Sequence, residues 1–328
     1  YQQVNYLANK DLGFSGNQVL EIFYYKPESI FKEKNYEQKL FGKYTVIKNE
    51  ISKIKGVEQV SAGAFKFGGG NDSSSGFSYH NESIQAQNIA VDFGMLEMMK
   101  IKMVQGRYLD PKIASDTINS MMVNETALKM MNEKNPIGKI VEWNNHKLKI
   151  IGIVKDFSLF SPQGKVPPMV FFHCKTIPWM IGNINHIYIK VKAENMEQTI
   201  TDIEKFWIKN VDNEYPFQYD FVDKNYKRTY KEYVQQKNLF SLLNVVVILI
   251  ALFGLFALAS FSIQRRMKEI AIRKTLGAET DVLLKELSKQ YIVFCVIGFL
   301  IALFPVYYLL NKWLENFAYR IEITALPF

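Results

Sequence analysis

Two long stretches of this chain carry no charge. Between Lys237 and Arg265 lies LFSLLNVVVILIALFGLFALASFSI, Leu239 to Ile263. About 25 helical residues cross the roughly 30 Å hydrocarbon layer of a bilayer with some tilt to spare. A soluble helix of that length ordinarily keeps a polar face. The pattern therefore predicts a transmembrane helix over 239–263. A second uncharged run, QYIVFCVIGFLIALFPVYYLLN, lies between Lys289 and Lys312 and predicts another over 290–311. Pro305 predicts a kink there, tolerated where neighbours satisfy the freed carbonyl. Tyr307, Tyr308 and Trp313 cluster at the far end, as amphipathic aromatics do at a membrane interface.

The connecting segment, 265–289, is short and basic, with Arg265, Arg266, Lys268, Arg273, Lys274, Lys285 and Lys289. Short basic loops stay in the cytoplasm. Lys224, Lys227, Arg228, Lys231 and Lys237 also precede the first run, but they belong to a long segment, and long segments translocate largely regardless of charge. Residues 1–237 are accordingly expected to be extracytoplasmic. Within the loop, Arg265 to Leu276 reads as a helix, Gly277 as its left-handed cap, and Thr280 with Asp281 as the start of the next helix. Sequence physics leaves two roles open for this segment: a solvated connector anchored on anionic lipid, or a docking element for a cytoplasmic partner.

Residues 1–237 mix two periods. QVLEIFYY (18–25) is rich in strand formers. Leu40, Tyr44, Ile47, Ile51 and Ile54 then recur at helical spacing, Gly56 ends that run, and GVEQVSAGAF reads as a strand. The pattern repeats later: HIYIKVKA (186–193), a helical stripe of Met196, Ile200, Ile203, Trp207 and Val211, and YPFQYDFV (215–222). Two such β-α-β units predict a split, ferredoxin-like sheet. Between them, over about 66–176, IQAQNIAVDF, SMMVN, KLKIIGIVKDF and MVFFH predict an inserted β-rich lobe, and FGGGNDSSSG (67–76) reads as a flexible loop. The expected fold class is thus an α+β extracytoplasmic domain, a split β-α-β lobe with an inserted β-rich lobe, plus two transmembrane α-helices.

Composition limits the function. The 328 residues are 48% hydrophobic and 22% charged, with a mean hydropathy of −0.07, so any membrane part is local. The net charge of +8 is spread along the chain instead of gathered in a tract, which argues against nucleic acid. Cys174 and Cys295 form no CxxC, and Cys295 sits inside an apolar run, which argues against a disulfide. Gly68-Gly69-Gly70 lacks the Gly-Lys-Ser/Thr of a phosphate loop. His80, His146, His173 and His186 have no zinc-pair spacing. Lys155-Asp156 fits an ion pair or turn cap better than a catalytic dyad. The two apolar runs hold no ionisable residue besides Cys295 and tyrosines, hence no evident ion relay. No enzyme, resident cofactor or metal is predicted.

The loop carries one specific pattern. RRMKEIAIRKTLGAETD resembles the signature of FtsX-like ABC transporter permeases, a group that includes MacB-type exporters and lipoprotein-release permeases. The matching positions are Arg266, Lys268, Glu269, Ile270, Ile272, Arg273, Lys274, Leu276, Gly277 and Ala278. LFGLFALASFSIQRR resembles the family's preceding span, and WLENFAYRIEI, after the second span, is similar to the family's exit from that helix. KDLGF, VNETALKMM, NPIGKIV and GIVKDFSLFSP resemble its MacB-type periplasmic core domain.

The resemblance implies a four-helix permease unit with the large domain between its first two helices. One helix would precede Tyr1 and one follow Phe328, so the chain reads as an incomplete permease unit, a fragment. The split lobe would be membrane-proximal and the insertion distal. Arg265 to Ala278 would be the coupling helix that docks on a separate ABC ATP-binding subunit, which alone would hold ATP and Mg. Further implied partners are a second permease unit, membrane lipid and a periplasmic adaptor. Implied roles are efflux, lipoprotein release or other export by mechanotransmission, from a multi-pass position in the bacterial inner membrane. A membrane-anchored sensor and a regulator of cell-wall hydrolases stand as alternatives.

Overall fold

The two periods of the sequence sort the chain into two units, residues 9–230 and residues 231–328 with 1–8. The structure is a computed structural model. It describes Gln3, Tyr6, residues 10–69, 74–80, 82–160, 164–229, 231–277 and 280–315, Phe317, Tyr319 and Arg320.

In the first unit, β1 (Val19–Phe23) leads through α1 (Tyr36–Ser52) to β2 (Val57–Gly63). Seven strands follow: β3 (Ser74–Tyr79), β4 (Glu82–Val91), β5 (Met103–Gly106), β6 (Ser120–Asn124), β7 (Ile140–Trp143), β8 (His146–Val154) and β9 (Met169–His173). Two short helices interrupt them, α2 (Met95–Met98) and α3 (Glu125–Met131). The unit closes with β10 (His186–Val191), α4 (Met196–Asn210), β11 (Tyr219–Phe221) and α5 (Val222–Arg228).

The outer strands run in the order β11-β1-β10-β2, each antiparallel to its neighbour. Alternation sends Leu20, Ile22, Val60, Ile187 and Ile189 to one face. There they meet the helical stripes Leu40, Tyr44, Ile47, Ile51 of α1 and Ile200, Ile203, Trp207 of α4. The opposite face buries Val19 and Tyr188 under Phe65 and Phe67, with Val222 and Tyr226 of α5. The sheet continues from β2 to β4 through one ladder pair, Gly63 with Val91. Beyond it, β4-β3-β7-β8-β6-β9 closes into a ring, because β9 returns to pair with β4 in parallel. Closure removes strand edges. Phe77, Tyr79, Ile84, Val123, Trp143, Ile150 and Phe172 fill its inside.

Two sequence expectations change here, and two strands had none. The loop read over 67–76 gives up Ser74–Gly76 to β3, whose Phe77 and Tyr79 are buried anchors; residues 70–73 lie outside the described residues. The strand read over 215–222 pairs only at Tyr219–Phe221. Pro216 has no N–H to offer a ladder, and the Asp212 side chain accepts the N–H groups of Glu214 and Tyr215, which makes a turn. β5 and β7, both short, carried no readable pattern.

The second unit holds α6 (Lys231–Arg265), α7 (Met267–Thr275) and α8 (Thr280–Leu314). Val234–Arg265 and Tyr291–Leu314 are long and apolar enough to cross a membrane, and none of their most apolar stretch is covered by protein. Both helices outrun the apolar runs: α6 begins in the charged flank, and α8 begins at Thr280, well before its apolar part. Pro305 sits inside α8. The Tyr291 hydroxyl donates to Leu258 O at 3.1 Å, a polar tie between α6 and α8.

Gly106 sets the β5–β8 register at φ +82°, and a Cβ there would lie 2.2 Å from Ile151 O. Gly106→Ala should lower the stability of the folded unit by more than about 1 kcal/mol, read as a fall in thermal midpoint.

Candidate functional site

The short helix between the two spans is where the loop motif lies. Helix α6 ends because Arg266 leaves helical geometry at φ −104°, ψ 12°, and its N–H is shared between Ser262 O (3.2 Å) and Ile263 O (3.1 Å). A new helix starts at once, with Ile270 N–H bonding Arg266 O at 3.0 Å. The continuous helix read over Arg265–Leu276 is thus two helices with a break at Arg266. At the far end Leu276 N–H reaches Ile272 O and Gly277 N–H reaches Lys274 O, with Gly277 at φ +93°. That left-handed position is the one glycine tolerates without cost.

Lys268, Glu269, Ile270, Ile272, Arg273 and Lys274 therefore sit on α7, Arg266 at its entry, and Leu276 and Gly277 at its exit. Ala278 lies outside the described residues. Glu269 and Arg273 pair at 2.8 Å with i,i+4 spacing, the acid N-terminal to the base. That order suits the helix dipole and adds about 0.3–0.5 kcal/mol to an exposed helix. Ile270 and Arg273 are half-buried; the other motif positions described on α7 and at its ends are exposed. Motif matching passed over Ala271 and Thr275, which share a face with Lys268 and Ile272; spacing by three and four would have found them.

The folded unit has its own charged centre, which sequence reasoning missed. Asp92, at the end of β4, is 4% exposed. It accepts the Tyr44 hydroxyl and pairs with Lys48, both on α1, and lies 3.2 Å from His173 Nε2 on β9. Burial alone would raise its pKa, but the hydrogen bond from His173 and the Lys48 ammonium outweigh burial and bring it down from 3.8 to about 2. Burial pushes the neighbouring Tyr44 hydroxyl and Cys174 thiol up, so both stay neutral. These groups come from distant stretches, and no spacing announces them.

Asp156 is a cap. It accepts Thr126 N–H (3.0 Å), the Thr126 hydroxyl (2.7 Å) and the Asn124 amide (2.7 Å) at the start of α3. His186 stands 2.9 Å from the buried Glu21 carboxylate. Among the described residues no group of three or more His, Cys, Asp or Glu could hold a metal ion. A cleft of about 460 Å³ opens at the end of the outer strands, lined by Tyr24, Lys26, Leu40, Ile47, Asp212 and Tyr215. Lys26 donates to Ile184 O and Asn185 Oδ1, and burial lowers its pKa to about 8.

A carboxyl group depressed in the folded state contributes stability above its unfolded value of 3.8, and that contribution is lost as pH falls toward 2. Asp92→Asn should remove about 2 kcal/mol at neutral pH and flatten the stability curve over that acid window. Denaturant midpoints at stepped pH check both.

Two family models match the chain. The model of the MacB-like periplasmic core domain matches residues 9–206, and that of the FtsX-like permease C-terminal domain matches residues 241–328. A macrolide export ATP-binding/permease protein MacB from Neisseria meningitidis serogroup A is 21% identical over 294 residues, 83% of this chain and 42% of that protein. The chain thus spans about two fifths of such relatives. An uncharacterized ABC transporter permease YknZ of Bacillus subtilis is 20% identical over 261 residues, covering 79% of this chain and 65% of that one. The crystal structure of the periplasmic region of MacB from Actinobacillus actinomycetemcomitans aligns with a TM-score of 0.48 at 19% identity, over 66% of this chain and 94% of that one. With its β-rich unit matched by the core-domain model and its helical unit by the permease model, the chain belongs to the family of FtsX-like membrane permeases that carry a MacB-like periplasmic core domain.

Proposed function

We propose that this chain is the permease part of an ABC transporter that works by mechanotransmission. In this scheme residues 9–230 are extracytoplasmic, α6 and α8 cross the bacterial inner membrane, and α7 is the coupling helix on the cytoplasmic side. A separate ATP-binding subunit binds ATP and Mg and supplies the hydrolysis; the permease itself is not an enzyme and holds no cofactor. Closure of that subunit moves α7, and α6 carries the movement outward to the core domain. A second permease unit completes the assembly in the bilayer, a periplasmic adaptor can extend it, and the work done is extraction or export, as in efflux or lipoprotein release. The strand order β11-β1-β10-β2, with α1 and α4 on one face, supports a split β-α-β, ferredoxin-like lobe, with β3–β9 as its insertion.

The observation that carries this reading is α7: a short, charged, largely exposed helix set between two membrane-length helices, in a chain whose other unit is a folded core domain. The basic residues of 265–289 favour the cytoplasmic side for it. The name of the MacB relatives joins ATP binding to a permease, and that of YknZ gives the permease alone; either arrangement suits a permease driven by an ATP-binding partner.

Ala271→Pro tests the proposal. Proline inside α7 removes a backbone hydrogen bond and breaks the helix at a cost of about 3 kcal/mol, while both spans remain. The wild-type chain, purified from its membrane in detergent, should bring with it a stoichiometric subunit that hydrolyses ATP, and the variant should lose that subunit and its activity. A wild-type complex without any ATPase would replace the transporter by a membrane-anchored sensor.

A further inference from the structure

The cleft at the end of the outer strands contains a cation without a counter-ion. Tyr24 N–H bonds Asn185 O at 2.8 Å, which carries the β1–β10 pairing one residue past Phe23. Pro27 then disfavours helical backbone at Lys26, and the Lys26 side chain ends half-buried beside the residues that lead into β10. Its ammonium donates to Ile184 O at 2.6 Å and to Asn185 Oδ1 at 2.7 Å, and neither acceptor is charged. Its other contact is the Tyr24 ring, whose centroid is 5.1 Å away. Among the described residues Lys26 forms no ion pair and its third N–H meets no oxygen acceptor. Burial lowers its pKa to about 8, and no neighbouring charge opposes that shift.

The rest of the cleft suits an amphiphile. Ile30, Leu40 and Ile47 are buried and give it an aliphatic lining. Tyr25 and Tyr215 add two exposed rings whose centroids are 4.9 Å apart. Lys43 of α1 brings a second cation, exposed and without an ion pair among the described residues. The acids that line the cleft do not neutralise Lys26. Asp212 Oδ1 accepts the N–H groups of Glu214 and Tyr215 at 3.0 and 3.1 Å, and Glu214 is exposed to solvent. A partly desolvated ammonium without a counter-ion is costly, and an arriving anion would offset that cost. With a volume of about 460 Å³, the cleft has the size of small-molecule sites.

We propose that this cleft binds a small organic anion, whose anionic oxygen accepts the third N–H of Lys26 and whose apolar body covers Leu40 and Ile47 beside Tyr25 and Tyr215. The site lies wholly within residues 9–230. It therefore goes beyond the transporter reading and needs no ATP-binding partner.

The test is titration calorimetry on the full chain in phosphatidylcholine nanodiscs, with 3-phenylpropionate, phenyl phosphate and the neutral 3-phenylpropanol as probes. At neutral pH at least one of the two anions should bind about tenfold or more tightly than the alcohol. Which of them does so separates a carboxylate ligand from a phosphate. Lys26→Met keeps an unbranched side chain and removes the charge, and it should abolish the preference. The wild type offers a check that needs no variant: the preference should fall as pH rises through about 8, where Lys26 loses its proton. Equal affinity for anions and alcohol, a preference that survives Lys26→Met or persists unchanged through that pH range, or no binding of either anion at millimolar concentration overturns the proposal. None of these outcomes touches the ATP-binding partner, which Ala271→Pro tests separately.

Discussion

Hydrocarbon cannot hydrogen-bond a peptide group, and this constraint organises the helical half of the chain. Inside a bilayer every N–H and C=O must be satisfied within its own helix. The chain can break helical geometry only where water returns. The breaks obey this: Arg266 and Gly277 both lie in the charged loop, and the described parts of α6 and α8 run unbroken. Pro305 is the exception that the rule permits, a lost donor inside a helix whose neighbours can compensate. Bending a span at its centre would expose backbone to hydrocarbon, so departures from helical geometry are cheapest at the ends. Helix α7 occupies one such end, between a break with a shared hydrogen bond and a left-handed glycine.

The folded half answers a different constraint. A mixed sheet of this size would present long strand edges, and exposed edges recruit other chains. The β4-to-β9 strands avoid this by closing into a ring through the parallel β4–β9 pairing. The outer strands end in β11, which pairs over only three residues and is blunted by Pro216 before it and by the Asp220–Arg228 ion pair across it. The two parts of the sheet meet through a single ladder pair, Gly63 with Val91. There the packing is reinforced by a charge: Asp92 follows Val91 directly and ties α1 to β9 through Tyr44, Lys48 and His173. A buried ionised carboxylate is tolerated only with such partners.

What could be read from the sequence follows from the range of the interactions involved. The two spans follow from apolar runs of more than twenty residues; α1 and α4 are governed by periodicity over ten residues or more, and Leu40, Tyr44, Ile47 and Ile51 or Ile200, Ile203 and Trp207 face the core as their spacing requires. The strands with hydrophobic alternation were equally legible. β3 was not, because Ser74, Ser75 and Gly76 have loop composition and become a strand only through pairing with Gln85, Ala86 and Gln87. The ring closure and the Asp92 centre are set by contacts between distant stretches, which local pattern cannot encode. At the loop the motif positions described lie on α7 and at its two ends. The break at Arg266 was hidden because neither Arg266 nor Met267 is a helix breaker.

The division of labour on α7 follows from solvation. Charges at a membrane surface are cheap to leave in water, and an exposed i,i+4 pair is worth only a few tenths of a kcal/mol. They therefore stabilise and solubilise a short helix at little cost. Exposed Ile272 and Leu276 are different, since each leaves apolar area in water that only a covering surface recovers, at about 25 cal/mol per Å². A helix of nine residues is marginal alone, because nucleation is costly and few hydrogen bonds repay it. Here two long helices fix its ends, the Glu269–Arg273 pair supports its middle, and Gly277 closes it. Much of its ordering cost is then met within the chain itself.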